Sequence, residues 1–133
     1  MIVTDATLLV HFALSETEIV PGETARGVHW KDPSWSVPPL WASEVRHVLL
    51  KYVRNGSVSL GEALAAVEAL SILVSVEPVG HAEVLHAADR YGLSGYDAEY
   101  VALAERLGVP LVTSDKQVLR GVSRAVTPAA FVA

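Results

Sequence analysis

Four acidic side chains, Asp5, Glu44, Asp97 and Asp115, are the residues of this chain whose type and placing point to chemistry. Each falls where its neighbours predict the carboxyl end of a strand or the first turn of a helix, and together they span more than a hundred positions. In an open α/β sheet the carboxyl ends of parallel strands open into one crevice, so acids far apart in the chain can share a pocket. Carboxylates gathered within about 5 Å would repel by roughly 3 kcal/mol per pair at an effective dielectric near 20. Either some of them protonate, or a cation sits among them. Mg2+ or Mn2+ suits a set of oxygen donors and usually keeps several waters beside one or two carboxylates. Those waters would supply the reactive group.

Taken singly, each acid also has an ordinary reading. Asp5 would cap the helix that follows its strand, and Asp97 would complete a capping box begun by Ser94. Glu44 would be a solvated acid favoured by its helix dipole, and Asp115 a turn or cap residue. What favours the shared pocket is that all four emerge at the same predicted sheet edge. Rival chemistries lack their residues. The chain has no cysteine, which removes disulfides, thiolate metal sites and cysteine nucleophiles together. His81 and His86 stand five apart, off one helical face, and His11, His29 and His47 have no partner at metal spacing. No Gly-x-x-x-x-Gly-Lys loop or dinucleotide glycine pattern occurs, and no serine has a nucleophile-elbow context.

The elements that must carry the acids follow from periodicity and punctuation. Met1–Thr4 reads as a short buried strand and Ala6–Leu14 as a helix. Residues 15–34 are irregular, with a short helix from about Gly22 to Trp30. Trp35–Val37 is a candidate strand closed by Pro38 and Pro39, which can start a helix but cannot extend a central ladder. From Leu40 to about Arg54 the residues Trp41, Val45, Val48, Leu49 and Tyr52 recur at helical spacing, ended by Asn55-Gly56. Ser59 N-caps the next helix, with Leu60, Leu64, Val67 and Leu70 as its apolar stripe ending near Ser71. A third strand is expected within Ile72–Val79. His81–Tyr91 is helical with Val84, Leu85 and Ala88 inward and Gly92 as C-cap. Ser94-Gly95-Tyr96-Asp97 opens a helix that runs to Gly108. Val109–Thr113 is a strand, Lys116 to about Leu119 a short helix, and Ala125-Val126 an edge strand before Pro128. Trp30, Trp35 and Trp41 are candidates for the core or for contacts with partners. Strands alternating with helices predict a three-layer α/β/α sandwich around a mostly parallel sheet.

A chain of 133 residues fits one domain, 1–133. With 51% apolar and 19% charged residues it carries enough core-forming side chains to exclude global disorder. The net charge of −5 argues at first against a nucleic-acid partner, since phosphate binding draws on Lys and Arg. Setting aside the four acids takes −5 to −1, so charge decides little if they hold a cation. Ile2–Thr4 is too short and lacks the basic start of a signal peptide. No stretch reaches the roughly 18 apolar residues that a membrane span needs. An intracellular, cytoplasmic protein is expected.

Four blocks of the chain resemble a known family. They are Ile2–Val10, with Asp5 inside it; Val37-Pro38-Pro39-Leu40 leading to Glu44-Val45; Gly95-Tyr96-Asp97-Ala98-Glu99-Tyr100-Val101-Ala102-Leu103-Ala104; and Leu111-Val112-Thr113-Ser114-Asp115-Lys116. Together they look like the PIN-domain ribonucleases, and within them the VapC-type toxins of toxin–antitoxin pairs. The resemblance covers nearly the whole chain. It implies that Asp5, Glu44, Asp97 and Asp115 form the family's acidic metal-binding quartet, with Asp5, Asp97 and Asp115 as the direct ligands of Mg2+ (or Mn2+) and Glu44 holding a second ion or the attacking water. It implies that Thr113 is the small hydroxyl residue beside the last acid. Lys116 is a candidate supporting residue, either a contact to substrate phosphate or a solvated lysine after its strand. One departure is His47, where related toxins commonly carry Asn. The implied function is metal-dependent hydrolysis of RNA, with a cognate antitoxin protein and a homodimer as partners. A non-catalytic binding or regulatory module of the same fold, and a housekeeping RNA-processing nuclease, are the alternatives.

Overall fold

The apolar run Ile2–Thr4 forms strand β1, and Asp5 turns the chain directly into helix α1 (Ala6–Ala13) in the computed structural model, which describes residues 1–133. There follow α2 (Gly22–Lys31), β2 (Trp35–Val37), α3 (Trp41–Arg54), α4 (Leu60–Leu73) and β3 (Ser75–Val76). The second half comprises α5 (His81–Tyr91), α6 (Gly95–Leu107), β4 (Leu111–Val112), α7 (Lys116–Gly121), β5 (Ala125–Val126) and α8 (Pro128–Val132). All pairings are parallel, in the order β3-β2-β1-β4-β5. The chain builds the sheet outwards from β1 on one side and then returns to build from its other side, so the direction of winding switches between β1 and β4.

Side chains alternate along the strands and divide the core in two. Ile2, Val37 and Val112 pack with residues of α1 to α4, whereas Val3 and Leu111 pack with α5, α6 and α7. This is the expected three-layer α/β/α sandwich, with both faces of a parallel sheet covered. Local signals end the helices where the sequence places them. Ser59 and Glu62 form a complete capping box at the start of α4. Gly92 and Gly108 adopt positive φ at the ends of α5 and α6, a conformation that costs a side-chain-bearing residue more than glycine.

Two expectations, on the inward faces of α4 and α5, need correction. In α4 the buried face is Ala63, Ala66 and Leu70, while Leu60 is 70% and Leu64 58% exposed. The two alanines let α4 close on α1 and α3, and that turns the larger leucines outwards. In α5 it is Ala87 that is buried, and Leu85 faces solvent. α4 runs on to Leu73, and the third strand, Ser75–Val76 at the sheet edge, lies within the expected segment Ile72–Val79. Of the three tryptophans, Trp35 and Trp41 are core and Trp30 is 90% exposed.

α8 was not anticipated. Its sequence signals are present, since Thr127 Oγ1 accepts from Ala130 N at 3.1 Å and Pro128 sits in the first turn. Lys31 of α2 fixes it by donating to the Phe131 carbonyl and lying 4.8 Å from the centre of the Phe131 ring. The packing of α4 makes a direct prediction. Leu70→Ala should destabilise by about 2–5 kcal/mol and Leu64→Ala by no more than about 0.5 kcal/mol, as read from urea denaturation midpoints.

Candidate active site

Two adjacent strands deliver the first part of the site. Asp5 follows β1 and caps α1, its Oδ1 accepting from Leu8 N at 2.9 Å. Asp115 follows β4 and caps α7 in the same way, its Oδ1 accepting from Val118 N at 3.0 Å. Thr113, buried between them, ties the two together. Its hydroxyl donates to Asp5 Oδ2 at 2.6 Å and accepts from Asp115 N at 3.0 Å. The capping roles foreseen for Asp5 and Asp115 are therefore real, and they coexist with a place at the switch point between β1 and β4, where open α/β sheets bind their ligands.

Two helices deliver the rest. Glu44 sits in the first turn of α3 and Asp97 in the first turn of α6. Ser94 Oγ accepts from Asp97 N at 3.1 Å, but the Asp97 carboxylate makes no return bond to the Ser94 backbone, so the capping box is only half formed. All four acids and Thr113 line one cavity of about 810 Å³. Lys116 is exposed and outside that lining. The cavity also takes in residues that the motif reading passed over or left without a role: Ser43 and His47 from α3, and Tyr96 and Tyr100 from α6. Helical spacing was the available signal, because His47 lies three residues after Glu44 and Tyr100 three after Asp97, on the same faces.

The electrostatics are those of crowded carboxylates. Burial, the larger cause, pushes the Asp5 pKa up against the pull of the Thr113, Leu8 and Ser114 hydrogen bonds. Burial and then the neighbouring Asp115 and Asp5 push Asp97 up. Glu44 is raised by burial and by Asp97 and Asp5, with Tyr100 and His47 opposing. Glu99 is raised as well, by burial and by Glu44. No three histidine or acidic side chains converge tightly enough to form a ready-made cage, so the close cluster entertained above is replaced by acids arranged around a cavity. The donor set nonetheless suits a hard cation. It is all oxygen, it is mutually repelling, and it leaves room for the waters that Mg2+ or Mn2+ retains.

Two variants probe this arrangement. Thr113→Val removes a donor from Asp5 and an acceptor from the Asp115 amide, and should cost about 1–3 kcal/mol in urea denaturation. Because the Asp97 pKa is raised on folding, the native state loses stability as pH climbs from the ordinary carboxylate range through that raised value. Asp97→Asn should therefore melt higher than wild type at neutral pH without divalent ions. The gap should close below about pH 4, where the carboxyl is protonated in both states.

Known proteins share this framework. Residues 2–124 match the profile of the PIN domain. Ribonuclease VapC3 of Pyrobaculum aerophilum is 37% identical over 94 residues, which cover 67% of this chain and 72% of that protein. Ribonuclease VapC1 of Mycobacterium tuberculosis is 34% identical over 89 residues, covering 65% of this chain and 67% of its own. Among solved structures, PAE2754 from Pyrobaculum aerophilum superposes with a TM-score of 0.78 at 25% identity, covering 98% of this chain and 85% of that one. A toxin–antitoxin complex from Klebsiella pneumoniae shares the fold at a TM-score of 0.71 and 18% identity, over 96% and 98% of the two chains. A profile that spans all but the two ends, and a relative at that identity matched over most of its length, show that this chain belongs to the PIN-domain family, in its VapC branch.

Proposed function

We propose that this chain is a divalent-metal-dependent endoribonuclease and the toxin of a toxin–antitoxin pair, with residues 1–133 acting as one domain. The observation that carries the reading is the convergence of Asp5, Glu44, Asp97 and Asp115, from four separate elements, on one cavity at the carboxyl edge of the sheet. The ribonuclease names of the VapC relatives support it.

In this reading Asp5, Asp97 and Asp115 hold Mg2+ (or Mn2+), and Thr113 keeps the Asp5 carboxylate turned to the cavity. When bound, the cation lowers the pKa of a coordinated water and neutralises charge on the phosphate. Glu44 orients the attacking water or holds a second ion; in the first role its carboxylate accepts a proton from that water. The water oxygen bonds to phosphorus as the water gives up a proton to the carboxylate or solvent, and the bond from phosphorus to the 3′ oxygen breaks; that oxygen takes a proton from solvent, leaving a 5′-phosphate and a 3′-hydroxyl. Lys116, exposed beside Asp115, supplies a cation to an incoming phosphate, and Arg46, Lys51 and Arg54 are exposed along α3 for the flanking backbone. Single-stranded or looped RNA is the fitting substrate, because its phosphates are accessible and its bases can splay onto aromatic side chains.

Family resemblance adds a homodimer, and an antitoxin whose tail enters the acidic groove. A cytoplasmic location, where RNA and antitoxin meet, accords with the absence of any helix long and apolar enough to cross a membrane. Purified protein incubated with a panel of structured RNAs should cleave only when Mg2+ or Mn2+ is added. Asp5→Asn and Asp97→Asn should each lower the rate by roughly a hundredfold or more while circular dichroism stays native. Cleavage at the wild-type rate by both variants would remove the acids from catalysis and leave a binding module as the reading.

A further inference from the structure

One polar group at the cavity is buried and has no partner. Tyr100 is 4% exposed, its ring packs among the residues between α6 and the sheet, and its hydroxyl forms no hydrogen bond of ordinary geometry. Phenylalanine would fill the same space without stranding a hydroxyl, so the oxygen is unfavourable for folding alone. Thr4 carries the other such hydroxyl, but it lies in β1 and does not line the cavity. Tyr100 does line it, one helical turn beyond Asp97, and its hydroxyl faces the Glu44 carboxylate across from α3.

We propose that Tyr100 is a positioning residue for Glu44: its hydroxyl donates to the Glu44 carboxylate and fixes that group in the cavity when a divalent cation is bound. Without a cation, Asp97 and Asp5 repel the Glu44 carboxylate, against the favourable pull of the phenol. A cation relieves that repulsion and lets the bond close. Tyr100 is the donor in that bond, since an ordinary phenol keeps its proton at neutral pH and an ionised carboxylate only accepts. Its consequence for turnover rests on the ribonuclease reading, whereas its consequence for cation binding does not.

The test pairs Tyr100→Phe with Glu44→Ala in a double-mutant cycle, using two readouts on purified protein. The first is the Mn2+ dependence of the melting temperature, without RNA. Tyr100→Phe should weaken apparent Mn2+ affinity by about tenfold in the wild-type background and leave it unchanged when Glu44 is already alanine. The second is RNA cleavage, where Tyr100→Phe should lower kcat by about tenfold with KM unchanged. An unaltered Mn2+ affinity in Tyr100→Phe, or an equal loss in both backgrounds, overturns the proposal. If wild-type protein cleaves no RNA, the ribonuclease reading fails, and the Mn2+ titration alone decides the role of Tyr100.

Discussion

Parallel pairing of β1 with β2 on one side and β4 on the other is the constraint on which the rest of this molecule depends. Three residues of β1 form the axis of the sheet, with apolar side chains directed alternately to its two faces. Ile2 belongs to one half of the core and Val3 to the other. Parallel strands share one carboxyl edge, so the residues that leave β1 and β4 must come out side by side. Asp5 and Thr113 are neighbours in space for that reason, 108 positions apart in the chain and joined by a 2.6 Å hydrogen bond. Burying that central strand and building the site are therefore one act of folding.

The same edge collects the N-termini of four helices. Asp5 and Asp115 cap α1 and α7, while Glu44 and Asp97 occupy the first turns of α3 and α6. A helix N-terminus stabilises a nearby anion by about 0.3–1 kcal/mol, against roughly 3 kcal/mol for two carboxylates about 5 Å apart at an effective dielectric near 20. Caps and dipoles thus ease the crowding without removing it, which agrees with the upward push that, beside the larger effect of burial, Asp97 and Asp5 exert on Glu44 and Asp115 and Asp5 exert on Asp97. The site keeps a standing electrostatic demand for positive charge. Its acids are arranged around a cavity rather than gathered into a cage.

Much of the fold was legible because its signals are local. Ser59 and Glu62 announce the start of α4, the glycines at 92 and 108 announce the ends of two helices, and the acids of the motif blocks lie where the elements begin. The failures have one origin. The apolar stripe of α4 looked continuous through Leu60, Leu64 and Leu70, but periodicity does not say which of two overlapping faces meets its neighbours. The small Ala63 and Ala66 won that competition by permitting closer approach to α1 and α3. Leu85 was misjudged for the same reason, since an apolar side chain is buried only where another element arrives to cover it.

The sequence by itself determined the order of strands and helices, the alternation that calls for a covered parallel sheet, the four acids, and the family they belong to. These are properties of short windows, each with its own turn, cap or motif chemistry. Only the tertiary structure decided that Thr113 bridges Asp5 to Asp115, that Glu44 and Asp97 close on the same cavity, and that Tyr100 leaves its hydroxyl unpaired beside Glu44. Those relations depend on distances between elements, and such distances are set by how side chains of particular size pack across layers, not by any pattern along the chain.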